Sequence, residues 1–240
     1  MPLKYFNIIF FAFMVLINYL ANALPINNKT TGELSDQYPN LFTPAGVTFS
    51  IWGVIYLLLM VFIIIQLREE NKYLNATIGW AFAISCLLNA SWILAWHYEK
   101  LPISLLIMLG LLVTMVYINL VLKPFPMGIT RITFGIYLGW ISIATIANFT
   151  ALLVYYNWGG WGISQEAWAI IMVAVGALIS SLSIARLENP FLGLAVMWAF
   201  LGIILKRQTD YNSIVMAAFI AMIVVGMVSV VVFFRKVSFT

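Results

Sequence analysis

Long apolar runs constrain this chain more than any other feature. A helix needs roughly 20 apolar residues to cross the bilayer core. Windows of about that length fit at residues 5–24, 46–67, 77–97, 101–122, 132–156, 166–186, 190–206 and 211–234. Charged residues are only 8% of the 240, against about 25% in a soluble domain. The chain therefore reads as an all-α polytopic membrane protein with about eight spans. The window at 190–206 is the shortest and begins at Pro190.

Orientation follows from Lys and Arg near the span ends. Lys4, Arg68, Lys72, Lys123, Arg131, Arg186, Arg235 and Lys236 fall on one side, and Lys29, Lys100, Lys206 and Arg207 on the other. That bias puts both termini in the cytoplasm, with a bacterial inner membrane as the expected location. The formal charge of +4 is then topological bias, and no basic patch suggests nucleic acid.

At the N-terminus, Lys4, an apolar run and Ala21-Asn22-Ala23 have the order of a signal peptide. The run is long for one, so it reads as a retained first helix; cleavage would leave seven spans. Cys86 is alone inside a span, which excludes a disulfide framework. Asn-x-Ser/Thr matches such as those at Asn28, Asn75 and Asn148 read as chance.

Residues 25–44 form the one long polar connection, punctuated by Pro25, Gly32, Pro39 and Pro44. A lid over an outward-facing pocket and a plain solvated connector are both open readings. Tyr155, Tyr156, Trp158, Trp161 and Trp168 crowd a glycine-containing turn, a composition that suits anchoring at the headgroup level. Gly176 and Ser180, four apart, leave room for close helix approach, within the chain or in a homodimer.

Ionisable residues in a membrane mark function because they are costly there. No carboxylate, Lys or Arg falls at a midplane of the windows, which argues against a proton pump, a carboxylate-coupled transporter or a retinal protein. One His and one Cys cannot build a usual zinc site. His97 reads as an interfacial hydrogen-bonding residue, or else a single haem ligand. No phosphate loop, nucleophile elbow or paired carboxylate appears, so no catalytic residue is assigned and conventional hydrolysis is not expected.

Three aromatic and polar stripes remain. They are Ala45, Phe49, Trp52, Tyr56; Ser85, Asn89, Trp92, Trp96; and Tyr137, Trp140, Ala144, Asn148. Helical spacing puts each stripe on one face. Asn89 and Asn148 need partners in hydrocarbon, either across helices or in a ligand. The indoles suit either a packed aromatic core or a cavity for a flat ring system.

At these residues the sequence resembles the translocator protein family, also called tryptophan-rich sensory protein (TspO/MBR) or peripheral benzodiazepine receptor. Pro44, Phe49, Trp52 and Tyr56 match its second helix. Leu88, Asn89 and Trp92 match its third, and Tyr137, Trp140, Ala144, Thr145 and Asn148 its fifth. Phe42 and Ala45 stand where the family has a loop Trp and a second Pro. The likeness covers about residues 5–156, so the expected division is a five-helix bundle at 1–156 and a three-helix extension at 157–240.

The resemblance implies a pocket opening toward the first loop that takes porphyrins such as protoporphyrin IX, sterol-like lipids or benzodiazepine-site ligands. It also implies frequent homodimers and a sensing or regulatory role. The ligand-binding set expected from stripes and resemblance together is Phe49, Trp52, Tyr56, Asn89, Trp92, Trp96, Tyr137, Trp140, Ala144 and Asn148. No metal site and no firm cofactor is expected beyond a tetrapyrrole ligand. The lead reading is a membrane receptor or sensor for such a ligand. A permease, a porphyrin-degrading enzyme and a structural subunit stand as alternatives.

Overall fold

The computed structural model describes residues 3–24, 26–68 and 72–237; Pro25, one of the expected loop breakers, lies outside them. Among the described residues all regular structure is helical. The helices are α1 (Leu3–Ala23), α2 (Thr31–Asp36), α3 (Ile51–Ile65), α4 (Lys72–Ile78), α5 (Ala81–His97), α6 (Leu101–Val121), α7 (Ile129–Tyr155), α8 (Gln165–Leu187), α9 (Leu192–Arg207) and α10 (Asn212–Val237). A 3-10 turn, Gly46–Ser50, leads directly into α3.

An apolar helix occupies each of the eight windows, but among the described residues six are long and apolar enough to cross a membrane. These are α1, α3 with its leading turn, α6, α7, α8 and α10. At 17 and 16 residues, α5 and α9 extend about 26 and 24 Å, short of the ~30 Å hydrocarbon core. Backbone in the left-handed region flanks α5, at Gly79 (φ 55°) and Glu99 (φ 55°). Ahead of α9, Glu188 (φ 52°) closes α8 and Pro190 follows.

Five helices close a ring in the order α1, α3, α7, α6, α5, each packed on the next and α5 returning to α1. Short connections predict sequential neighbours, yet α3 packs against α7 and α1 rather than chiefly along α5. Tilted and edge-on ring contacts close the middle instead: Phe62 of α3 lies 5.0 Å from both Phe82 of α5 and Phe134 of α7.

The last three helices pack on one another, and α9 lies along α7. Small residues make that approach possible, as in membrane helix pairs generally. A Cβ at Gly139 would overlap the carbonyl oxygen of Leu192, and one at Gly135 would lie 2.7 Å from the Asn189 amide. Gly176 of α8 sits under Ile143 and Phe200 of this same chain.

At the end away from the first loop, a polar network ties the α8–α9 turn to the ring. The window starting at 132 leaves Arg131 in a loop, but the structure builds it into α7 with only 2% exposure. Its guanidinium donates to the carbonyls of Lys123 (3.2 Å), Phe125 (3.2 Å), Leu187 (3.3 Å) and Glu188. The carbonyls exposed at two helix ends thus surround one cation. Asn189 donates to Asn119 Oδ1 (2.8 Å) and to the Arg131 carbonyl (2.9 Å). Lys123 and Lys236 both pair with the Glu188 carboxylate, which holds it below the ordinary carboxylate range.

Candidate functional site

The first loop is more ordered than its prolines suggest. Thr30 and Glu33 form a reciprocal capping box that starts α2. The spacing Thr30-x-x-Glu33 was visible in the sequence, but a six-residue helix has too little periodicity to announce itself.

Two clamps hold this loop across the bundle end. On the α5 side, His97 is fully buried and both ring nitrogens are engaged. Nδ1 lies 3.0 Å from the Ile26 carbonyl and Nε2 3.1 Å from Thr31 Oγ1. This arrangement assigns the proton to Nδ1, with Nε2 accepting from Thr31, so His97 ties the loop to the end of α5. Trp96 Nε1 donates to the Thr31 carbonyl (3.4 Å). The Tyr38 hydroxyl donates to Glu99 (3.0 Å), and burial together with that carboxylate pushes the phenol up to about 12.

On the α9 side, Trp198 Nε1 donates to the Thr48 carbonyl (2.9 Å) and Ala45 N–H to the Gly202 carbonyl (3.0 Å). Arg207 donates to the carbonyls of Asn40 (2.7 Å) and Leu41 (3.2 Å), and Lys206 pairs with Asp36 at 2.6 Å. The C-terminal helices therefore grip the segment that begins α3.

Beneath the loop, the three stripes meet around Trp52. Its ring stacks on Tyr56 (5.6 Å, 18°), tilts against Trp92 (6.0 Å) and receives the edges of Tyr137 (6.0 Å) and Trp140 (6.1 Å). Trp92 stacks on Trp96 at 6.2 Å, and Phe49 meets Trp140 edge-on at 6.0 Å. Such geometries are the favoured ones for aromatic pairs.

A small cavity lies inside this cluster. Of the ten expected residues, Phe49, Trp52, Trp92, Trp96, Trp140, Ala144 and Asn148 line it. Tyr56, Asn89 and Tyr137 do not. Asn89 accepts from Asn18 Nδ2 (2.7 Å) and donates to the Tyr137 hydroxyl (3.0 Å), so its amide joins α1, α5 and α7. Asn148 donates to Ser104 Oγ of α6 (2.8 Å), while its Oδ1 has no partner among the described residues.

Sequence reasoning missed five further lining residues: Thr31, Ser35, Pro44, Ile143 and Ala147. The last two continue the Trp140–Asn148 face at i+3 and i+7, so helical spacing could have found them. Thr31 and Ser35 come from α2 and close the cavity from above.

The cavity measures about 40 Å³, on the order of one water molecule. A tetrapyrrole does not fit it until the rings part. Its walls still carry unsatisfied chemistry. Among the described residues, the indole N–H groups of Trp92 and Trp140 and the Asn148 Oδ1 are buried without a hydrogen-bond partner, and such groups are uncommon in native interiors. No charged side chain lines it. Lys29, the loop cation nearest in sequence to the lid, is paired with Glu99 at 3.3 Å. Among the described residues no cluster of His, Cys, Asp or Glu could hold a metal ion.

No curated protein and no solved structure gave a significant match to the chain. The family model described as TSPO-like protein matches residues 4–231, which takes in the C-terminal helices as well as the ring. With that match across nearly the whole length, the chain belongs to the TSPO-like protein family.

Proposed function

We propose that this protein is a membrane receptor or sensor that binds a flat hydrophobic ligand in the aromatic cluster between α3, α5 and α7. The observation that carries the reading is the pair of buried, unpartnered indole N–H groups of Trp92 and Trp140 beside the Asn148 oxygen. Together they offer two donors and one acceptor within an aromatic wall. A tetrapyrrole such as protoporphyrin IX is the lead ligand. Binding it requires the loop and the Trp52 cluster to open, with the clamps on α5 and α9 setting that cost.

A second ligand class is favoured by one specific feature. No cation lines the cavity, so a porphyrin's carboxylates would have to remain in the loop region. An uncharged sterol-like molecule with one hydroxyl or carbonyl needs no countercharge.

In the same reading α5 and α9 cross the membrane inside the bundle, giving eight spans. The ring and the three-helix extension are its two parts, and both termini are cytoplasmic, as the Lys and Arg distribution supports.

The test is a titration of the detergent-solubilised protein with protoporphyrin IX, read by tryptophan fluorescence quenching, alongside a Trp92→Phe, Trp140→Phe double variant. Saturable, near one-to-one quenching that weakens in the variant, and that cholesterol competes away, supports the cluster as the site. Unsaturable quenching, or quenching unchanged in the variant, overturns it.

A further inference from the structure

A larger cavity than the one in the aromatic cluster also borders the first loop. It measures about 290 Å³, against about 40 Å³ between the stripes, and lies just below the ~300–1,000 Å³ range of small-molecule sites. Three parts of the chain build it: loop residues 39–42, the last turns of α7, and the turn from Trp158 into α8. Neither the ring alone nor the extension alone would enclose it.

Its walls are fixed rather than incidental. Trp168 donates its indole N–H to the Gly160 carbonyl at 2.9 Å and meets Trp158 edge-on at 4.9 Å. Asn40 Oδ1 accepts from the N–H groups of Phe42 (3.1 Å) and Thr43 (3.0 Å), which fixes the loop wall, and Thr150 Oγ1 of α7, which donates to the Ala147 carbonyl (2.8 Å), lies 3.4 Å from it. The turn holds Asn157 (φ 50°) and Trp161 (φ 53°) in the left-handed region, which is uncommon for residues with side chains and costs about 1–3 kcal/mol each.

The lining chemistry narrows the occupant. None of the lining residues is charged. Phe42, Trp158 and Trp168 supply ring faces, and Leu153 and Met172 an aliphatic floor. The polar groups of the lining include the half-buried Trp158 indole N–H and the exposed Gln165 amide, neither of which makes a side-chain hydrogen bond among the described residues. The surrounding turn has the aromatic composition of the membrane–water boundary, where one end of a molecule is wet and the other is not.

We propose that this cavity is a second binding site, distinct from the aromatic cluster, for an uncharged molecule of two or three fused rings carrying one hydroxyl or carbonyl. The rings sit between Trp158, Trp168 and Phe42, and the polar group faces Gln165 and the Trp158 N–H. A tetrapyrrole is too large for it, so this cavity takes a different ligand from the one proposed beneath Trp52.

The test uses the full-length protein labelled with 5-fluorotryptophan in nanodiscs, followed by fluorine NMR, with resonances assigned by single Trp→Phe variants. The probe is 2-naphthol, with 2-naphthalenesulfonate as its charged counterpart. Expected is a saturable shift of the Trp158 and Trp168 resonances with those of Trp92 and Trp140 unmoved. The sulfonate should bind at least tenfold more weakly, and Met172→Phe and Leu153→Phe should each weaken 2-naphthol by a similar factor. A shift that rises without saturation, equals that of exposed Trp161, is matched by the sulfonate, or survives both filling variants overturns the proposal. Because the two sites are read at different tryptophans, failure here leaves the reading of the Trp52 cluster standing, and the reverse holds.

Discussion

Replacing Gly139 by alanine tests how α9 is joined to the ring. The added Cβ would overlap the Leu192 carbonyl oxygen and lie 3.1 Å from the Ala195 Cβ. Carbon pairs sit comfortably at about 3.5–4.0 Å, so the helices must part by at least roughly 0.4–0.9 Å at Ala195 and by more at the carbonyl. The obstruction at Leu192 is backbone and cannot rotate away. Overpacking of this kind costs about 1–3 kcal/mol, occasionally more, which corresponds to a fall of about 2–12 °C in melting temperature for a chain of this size. Two controls share the substitution without the crowding. Gly53 of α3 has open space around it, and Gly110 of α6 meets only Leu88 at an ordinary 3.7 Å. Thermal unfolding of the three variants in one detergent provides the readout. Gly139→Ala should melt well below the parent, with Gly53→Ala and Gly110→Ala at or above it, since alanine also removes the helix cost of glycine. Equal melting of Gly139→Ala and Gly53→Ala would refute the close α7–α9 contact.

Other consequences can be checked in the same preparations. Asn18→Ala and Asn89→Ala should each destabilise by about 1–3 kcal/mol, and a double-mutant cycle should show coupling of about 0.6–1.7 kcal/mol, with ligand affinity unchanged. Arg207→Met should raise amide hydrogen exchange across residues 38–45, because two loop carbonyls lose their donor. Lys206→Met should change exchange little, since exposed ion pairs contribute about 0–1 kcal/mol. Glu188 sits below its ordinary value because Lys236 and Lys123 favour its charged form. Its stabilisation is therefore full above the unfolded value near 4.5 and is lost as pH falls through the lowered folded value. Glu188→Gln should flatten the acid side of the stability profile, and an unchanged profile would contradict the pairing.

Apolar length was enough to place an apolar helix in each window, six of them long enough to span among the described residues, and helical spacing brought Trp52, Trp92 and Trp140 together. Both signals are local, and a membrane helix keeps its hydrogen bonds within itself. What escaped was long-range. Trp198 and Arg207 reach backbone carbonyls 150 and about 166 residues away, and a carbonyl acceptor carries no side-chain identity to read. Asn89 sits on the same face as Trp92, yet its amide is consumed by Asn18 and Tyr137. Spacing gives the face of a helix but not which atom finds a partner first. The narrowness of the central cavity was equally hidden, because aromatic rings that could line a pocket fill it just as well.

The surroundings of Arg131 carry a consequence for how the protein is made. Two of its acceptors, Lys123 and Phe125, are synthesised before it, but Leu187 follows 56 residues later. At about 5–20 residues per second, the ribosome needs roughly 3–11 s to deliver the missing carbonyls. Through that interval the cation must stay hydrated or be shielded by the insertion machinery, so α7 cannot settle at its final depth until the α8–α9 turn emerges. A chain released before residue 187 would lack two of the four carbonyls that surround this cation.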